Sequence, residues 1–178
     1  MKKLRFFSMV CVFALAMGSF VSCHNGENGN NNNNGGSGGG STVAGYVDLG
    51  LPSGTKWNSA NETGGDAGFF TYDEAMSAFG DKLPTNEQFD ELRVYCTWEW
   101  QNNGGYKVIG KNGNSIFLPA SGYRSCDGDV NSVDSYGYYW SSTPISSDIA
   151  CDLCFDSDGV YMDCSSRCGG RSVCLVQD

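Results

Sequence analysis

The sequence of residues 151–163 is Cys-Asp-Leu-Cys-Phe-Asp-Ser-Asp-Gly-Val-Tyr-Met-Asp. Leu153 and Phe155 alternate with polar or small residues in its first half, and Val160 and Met162 do so in its second half. An apolar residue at every second position is typical of a strand with one face on the core and the other toward solvent. This segment therefore predicts two strands of a half-buried antiparallel sheet.

Further strands are predicted on both sides of this segment. Val173 and Leu175 repeat the inward alternation near the C-terminus. Short apolar runs bounded by turn residues predict two more strands and one hairpin. These lie at residues 46–49 and 55–57 for the strands, and at 106–109 and 115–118 for the hairpin.

Two short helices are predicted before the strand-rich half of the chain. Residues 71–74 have the spacing of a helix-capping box, and a second helix is predicted to start within residues 84–88. Phe89, Leu92 and Cys96 then follow at helical spacing and are predicted to face the core. Two early helices and a strand-rich second half together predict an α+β fold.

The chain divides into three segments by composition. Residues 1–22 have a basic start and an apolar run of signal-peptide length, which ends at Phe20-Val21-Ser22-Cys23. These last four residues resemble a lipobox, so Cys23 is predicted to carry the lipid; an ordinary cleaved signal peptide is the alternative. Residues 23–43 are rich in Asn, Gly and Ser and are predicted to be a disordered tether. Residues 44–178 are predicted to form one domain.

The charge of the predicted mature chain excludes one class of partner. Removal of the signal leaves eight basic residues against twenty acidic ones, a net charge of −12. Nucleic-acid binding needs a basic face, so no nucleic-acid partner is expected. An anionic membrane surface is disfavoured for the same reason, and membrane attachment is expected only through the lipid.

Several phrases of the domain occur together in one known family. They are Gly45-Tyr-Val-Asp-Leu-Gly-Leu-Pro-Ser-Gly-Thr-Lys-Trp57, Leu83-Pro-Thr85, Cys96-Thr-Trp98, Gly113-Asn-Ser-Ile-Phe-Leu-Pro-Ala120, Tyr139-Trp-Ser-Ser-Thr143 and Gly170-Arg-Ser-Val173. In this order they resemble the major paralogous domain family named from Fibrobacter succinogenes, which is common in lipoproteins of gut Bacteroidetes. The resemblance covers about Gly45 to the C-terminus. It implies a C-type-lectin-like fold related to that of formylglycine-generating enzymes.

The chain departs from this family at two positions. Family members often have a Cys shortly after the first Trp, where this chain has Asn58-Ser-Ala-Asn61, so Cys96 is expected to lack a partner. The family usually has Arg after Ser172-Val173, where this chain has Cys174.

The C-terminal part of the domain has an unusual composition. From Asn112 to Val176 there is no Lys, Glu or Gln, and Ser, Gly, Asp, Tyr and Cys take their place. This pattern resembles the target of a diversity-generating retroelement, which mutates the adenines of a template repeat while copying it into the end of a gene. The alternative is a secreted sheet of low charge with drifted loops. The resemblance implies a variable region over about residues 124–174, in which the apolar framework is kept and outward positions vary.

These variable positions are the candidate ligand-binding residues. Tyr and Ser are good generic contact residues, and Tyr161 is the expected aromatic anchor. The full set is Ser125, Cys126, Asp127, Asp129, Ser146, Asp148, Asp152, Cys154, Asp156, Asp158, Tyr161, Asp163, Cys164, Ser165, Ser166, Cys168 and Cys174.

Metal sites are weighed and disfavoured. Cys151-x-x-Cys154 and the pair Cys164 and Cys168 approach zinc-ligand spacing, but Cys151 and Cys154 would point to opposite faces of a straight strand. Adventitious cysteines from randomised codons are expected instead. An oxidising envelope would allow one or two chance disulfides among them, whose pairing cannot be read from the sequence. Residues 156–159 and 127–129 resemble fragments of calcium loops, and acidic turns are the favoured interpretation, with weak calcium binding as the alternative. No metal and no cofactor is predicted.

Catalysis is also disfavoured, because the single His is His24, at the edge of the tether. The function predicted is therefore binding rather than catalysis: a lipoprotein held to the outer membrane, exposed at the cell surface, that recognises a protein or glycan on another cell, phage or host. A cysteine- or metal-dependent envelope enzyme and a structural envelope lipoprotein without a specific ligand are the alternatives.

Overall fold

A computed structural model describes residues 45–178. Within this range the chain forms eleven strands, two α-helices and one turn of 3-10 helix, Gly80–Lys82. The helices are α1 (Tyr72–Phe79) and α2 (Asn86–Tyr95). The strands are β1 (Tyr46–Asp48), β2 (Lys56–Asn58), β3 (Thr97–Gln101), β4 (Gly105–Ile109), β5 (Ser115–Pro119), β6 (Tyr123–Arg124), β7 (Val130–Asn131), β8 (Gly137–Pro144), β9 (Ile149–Asp156), β10 (Gly159–Ser166) and β11 (Val176–Gln177).

Both helices start where the sequence predicts. The Thr71 hydroxyl accepts a hydrogen bond from the Glu74 backbone N–H, and the Glu74 carboxylate accepts one from the Thr71 backbone N–H at 2.8 Å. Thr85 and Gln88 form the same reciprocal box at the start of α2. Each box satisfies backbone donors that a helix start would otherwise leave unpaired.

The strands form four small antiparallel sheets. Three sheets have three strands each, in the orders β1-β2-β11, β3-β4-β5 and β10-β9-β8, and β6 pairs with β7. The longest strands are β8, β9 and β10, with eight residues each. The predicted hairpin at 106–109 and 115–118 is confirmed as β4 and β5, and the predicted strands near residues 46 and 57 are confirmed as β1 and β2.

The β8-β9-β10 sheet is a middle layer between two clusters of buried side chains. Leu153 and Phe155 belong to the larger cluster, with Trp57 and Phe89. Trp140 belongs to the smaller cluster, and so do Ala150, Val173 and the aromatic residues at the start of α1. Part of β9 is therefore buried on both faces, whereas the sequence predicted a sheet with only one buried face.

The predicted α+β, C-type-lectin-like class is wrong. The described part of the chain is 43% strand and 16% helix, arranged as several small antiparallel sheets with two short helices. The helices have only eight and ten residues, against eleven strands. The helix-start signals located both helices correctly, but they carry no information on how little of the domain is helical.

The predicted alternation at Val173 and Leu175 is also corrected. Both side chains are buried as expected, but so is every residue from Arg171 to Val176. Only Val176 of this run belongs to a strand. The segment runs between the two core clusters, with Val173 and Leu175 in the smaller cluster and Cys174 and Val176 in the larger.

The predicted signal segment 1–22 and tether 23–43, with the lipid site Cys23, lie outside the described residues. Among residues 45–178, neither helix has the length and apolar character that crossing a membrane requires.

Candidate ligand-binding surface

The β9–β10 hairpin sorts the candidate residues onto two faces. Strands β9 and β10 pair in an unbroken antiparallel register, from Gly159 opposite Asp156 to Ser166 opposite Ile149. Because successive side chains point to opposite faces, one face, here called the core face, carries Cys151, Leu153, Phe155, Val160, Met162 and Cys164. The other, here called the outer face, carries Asp152, Cys154, Tyr161, Asp163 and Ser165. The four apolar residues that define the predicted pattern share the core face, with Leu153 and Phe155 fully buried.

Asp152 lies in the interior, although it was predicted to contact a ligand. Its side chain is fully buried, and its Oδ2 accepts hydrogen bonds from the Ser165 hydroxyl at 2.8 Å and from Arg171 Nε at 3.2 Å. Burial raises the pKa of this carboxyl, while Ser165 and Arg171 act in the opposite direction. Asp152 is therefore part of the framework, and a ligand on the surface has no direct access to it.

Arg171 completes this framework from the opposite side. Its guanidinium lies 5.1 Å from the ring centroids of both Tyr123 and Tyr138, and 5.4 Å from that of Trp140. Cation–π contacts of this kind strengthen when the cation is shielded from water, and Arg171 is 8% exposed. The ion pair with Asp152 and the three rings hold β6, β8 and β9 together and cover this part of the outer face.

Beyond this ion pair, the outer face opens to solvent. Tyr161 is 51% exposed and Asp163 is exposed, while Cys154 and Ser165 are half-buried. Cys154 lies opposite Tyr138 on one side and Tyr161 on the other. Burial raises the pKa of the Cys154 thiol to about 11, so this thiol stays protonated at neutral pH.

A disulfide joins two of the predicted surface loops. Cys126 and Cys168 are bonded, with their Cα atoms 5.1 Å apart. Both residues are exposed. The loop that carries Cys126 is closed by a hydrogen bond from the Asp129 backbone N–H to the Ser125 hydroxyl oxygen. The pairing brings the loop after β6 against the segment that follows β10.

Arg167 brings a third loop to the same place. Its backbone N–H donates to the Asp148 carbonyl at 2.9 Å, and its Nη1 donates to the Ser146 carbonyl at 3.1 Å. The guanidinium also pairs with the carboxylate of Asp73 and lies over the Tyr72 ring at 4.5 Å. Residues 125–129, 146–148 and 166–168 are thus held together, and we refer to them as the loop cluster.

A shallow cavity of about 400 Å³ opens on the loop cluster. The residues that line it come from the start of α1 and from two of the three loops. The lining residues are Thr71, Asp73, Ser147, Asp148, Ser166, Arg167 and Cys168. Hydroxyls, carboxylates and one guanidinium around an open depression suit a polar ligand bound from solvent.

Two groups of candidate residues lie at opposite ends of the hairpin. Asp156 and Asp158 lie at the turn end of the hairpin, and the loop cluster lies at the other end. The seven residue steps of β9 between these ends span about 23 Å. Asp156 Oδ1 accepts hydrogen bonds from the backbone N–H groups of Asp158 and Gly159, at 2.8 and 3.1 Å. The acidic side chain closes the turn, as the favoured interpretation requires.

Three other candidates do not lie on the outer face. Cys174 is buried, and its thiol donates to the Asn58 carbonyl at 3.4 Å, so it is corrected from a surface residue to an interior one. Burial raises the pKa of the Cys174 thiol to about 12. Cys164 and Ser166 are exposed but fall on the core-face side of β10.

The metal-ligand spacings of the sequence do not converge in the described part of the chain. Residues 45–178 contain no group of three His, Cys, Asp or Glu side chains placed to hold a metal ion. Cys151 and Cys154 occupy opposite faces of β9, as the strand pattern predicts. His24 lies outside the described residues.

Trp98 and Trp100 pack against the larger core cluster, around Tyr106 and Phe155, and Glu99 between them is exposed. Cys96 is a half-buried free thiol among the described residues.

Sequence reasoning missed Arg167 and Arg171. Between Asn112 and Val176 the only basic residues are these two and Arg124. Each of the three lies within 4 Å of an Asp carboxylate in the structure. The rarity of basic residues was the available signal for these arginines. A basic side chain in so acidic a segment has many carboxylates with which to form an ion pair.

Comparison of the chain with known protein families gives one match. Residues 96–176 match the model of a family described as a domain of unknown function, DUF8237. This match spans a little under half of the chain and contains β3 to β10, so it includes the whole loop cluster. No curated protein matches the chain, and no solved structure matches it.

Proposed function

We propose that this protein binds a ligand with the loop cluster and the exposed part of the outer face, and that it is not an enzyme. The observation that carries the proposal is the joining of three polar loops, by the Cys126–Cys168 disulfide and by Arg167, at one end of a buried sheet. A rigid scaffold that holds short loops in place lowers the entropic cost of ordering them when a ligand binds.

The chemistry of these loops favours polar partners that bear hydroxyl or basic groups. Asp127, Asp129 and Asp148 are exposed and make no ion pair within 4 Å among the described residues. Carboxylates accept hydrogen bonds from sugar hydroxyls and attract cationic side chains. A glycan or a basic protein segment on another cell, phage or host surface is the proposed partner.

We further propose that Cys23 anchors the protein by lipid to the outer membrane and that residues 124–174 are diversified by a retroelement. The support is the lipobox-like sequence and the absence of Lys, Glu and Gln from Asn112 to Val176. A near-identical template repeat and a reverse-transcriptase gene beside this gene are the expected genomic observation. Absence of both would overturn the diversification proposal and leave ligand binding to be tested separately.

Binding is tested by screening the full chain against arrays of glycans and of basic peptides. For any probe bound, Asp127→Asn combined with Asp148→Asn is expected to weaken affinity at least about tenfold, as the loss of charge-assisted hydrogen bonds implies. Asp90→Asn, an exposed carboxylate on α2, is the matched control and should leave affinity unchanged. Equal affinity of the double variant and the wild type would exclude the loop cluster as the binding surface.

A further inference from the structure

Two free cysteines lie directly opposite each other in the β9–β10 hairpin. The register pairs Cys151 with Cys164. Opposite residues of an antiparallel pair point to the same face, with Cβ atoms about 4.5–5.5 Å apart. A disulfide needs Cα atoms about 4.4–6.8 Å apart and Cβ atoms about 3.5–4.5 Å apart, so the two strands need to approach each other by about 1 Å or less at this position.

The two thiols also differ in access. Cys151 is 4% exposed, whereas Cys164 is exposed to solvent. Burial, together with the neighbouring Cys151 thiol, raises the pKa of Cys164. An oxidant from solvent therefore reaches Cys164 first, and Cys151 is held beside it.

Among the described free cysteines, no other pair has this arrangement. Cys154 is on the same strand as Cys151 but on the outer face, where it lies opposite Tyr138 and Tyr161. Cys96 is half-buried beside the end of α2, and Cys174 is buried near Asn58. The register alone selects Cys151 and Cys164.

We propose that Cys151 and Cys164 form a reversible second disulfide, which locks the end of the hairpin that carries the loop cluster. The oxidant class is a small-molecule disulfide such as oxidised glutathione. The Cys164 thiolate attacks one sulfur of the oxidant, forms a mixed disulfide and releases one glutathione thiolate. The Cys151 thiol, losing its proton, then attacks the Cys164 sulfur and releases the second. The protein loses two hydrogen atoms, and the oxidant is reduced to two thiols.

The position of this bond gives it a structural effect. Cys164 is two residues before Ser166, where β10 ends and the segment 166–168 begins. Cys168 is already bonded to Cys126. A bond from Cys164 to Cys151 would fix one end of residues 164–168 to β9, while Cys168 fixes the other end to the loop after β6. The loop cluster would then be a doubly cross-linked surface.

The test equilibrates the full chain in glutathione buffers of increasing oxidised fraction, followed by thiol blocking and mass spectrometry. Trypsin together with a protease that cuts before Asp places the relevant cysteines on separate peptides: Cys126 on 125–126, Cys151 on 148–151, Cys154 on 152–155, Cys164 on 163–167 and Cys168 on 168–171. The expected result is a linked pair of 148–151 and 163–167 in oxidising buffer, reversed by dithiothreitol. The unfolding midpoint should rise by about 5–10 °C on oxidation.

Matched variants separate this pair from other thiol chemistry. Cys164→Ser should remove the linked pair and reduce the thermal shift to the part that the Cys126–Cys168 bond contributes, and Cys154→Ser should retain the linked pair and the full shift. The 125–126 and 168–171 link in the same digest shows that each variant is folded. Glutathione on Cys164 with Cys151 unlinked at every buffer ratio would overturn the proposal, and so would a Cys151–Cys154 link. Neither outcome bears on ligand binding by the loop cluster.

Discussion

At the scale of single residues, the buried Asp152–Arg171 ion pair on the outer face combines a desolvation cost with a gain from pairing the charges. Asp152 is fully buried and its Oδ1 has no hydrogen-bond partner, while its Oδ2 has two. Removing a carboxylate from water is costly, and one ion pair repays that cost only in part. This explains why burial raises the pKa of Asp152 although a guanidinium lies 3.2 Å away. The pair orders the side chains more than it stabilises the fold.

Breaking the pair from one side should be strongly destabilising. Arg171→Leu leaves Asp152 buried without its cation and is expected to lower the free energy of unfolding by about 3–5 kcal/mol. Urea unfolding at pH 7 measures this. Arg93→Leu is the matched control, since its pair with Asp90 is exposed and should be worth about 0–1 kcal/mol. A loss below about 1 kcal/mol for Arg171→Leu would show that Asp152 is not ionised in the folded protein.

The same carboxyl predicts an unusual dependence of stability on pH. The folded-state pKa of Asp152 is raised above its ordinary value of 3.8, so the folded protein binds this proton more tightly than the unfolded chain does. The contribution of this group is fully present below pH 3.8 and is lost as pH rises through the folded pKa. Wild-type protein should therefore gain stability relative to Asp152→Asn as pH is lowered from 7 to 4, measured by urea unfolding of both. A relative loss over this range would mean that Arg171 outweighs burial.

At the scale of elements, the strands and helices were predicted better than their arrangement. The alternation of Leu153 with Phe155 and of Val160 with Met162 is a local signal, and it located β9 and β10. Helix starts at Thr71 and Thr85 are local signals as well. The fold class was wrong, although only β11 pairs with a strand far away in the sequence. Local signals place single strands and helices, but they do not show how the small sheets and the two short helices pack together.

The candidate site shows the same limit. Exposed positions such as Tyr161 and Asp163 follow from alternation along a strand. The burial of Asp152 does not, because it depends on Arg171 crossing over the outer face from a segment 19 residues away. The Cys126–Cys168 bond, with a separation of 42 residues, was beyond reach for the same reason. Alternation along a strand identifies its buried face only when one face is buried and the other is exposed. It cannot show that both faces are buried.

At the scale of the whole molecule, the segment that matches DUF8237 is not structurally self-contained. Val176 of β11 pairs with Trp57 of β2. Arg171 and Phe70 exchange two backbone hydrogen bonds, of 2.9 and 3.0 Å, and Trp140 Nε1 donates to the Phe70 carbonyl at 2.8 Å. The first fifty described residues therefore close both faces of the middle sheet, which the matched segment alone leaves open.

A fragment of residues 96–178 is accordingly expected not to fold by itself. It lacks Trp57 and Phe89, two fully buried side chains of the larger core cluster. Loss of such a side chain costs about 3–5 kcal/mol, and the whole stability of a domain is about 5–15 kcal/mol. The fragment also lacks α1, whose side chains in the smaller core cluster cover Trp140. Near-ultraviolet circular dichroism and amide proton dispersion should show a disordered chain, whereas residues 45–178 should unfold cooperatively. Cooperative unfolding of the shorter fragment would show that the matched segment carries a complete core, and that residues 45–95 were added to a domain already stable without them.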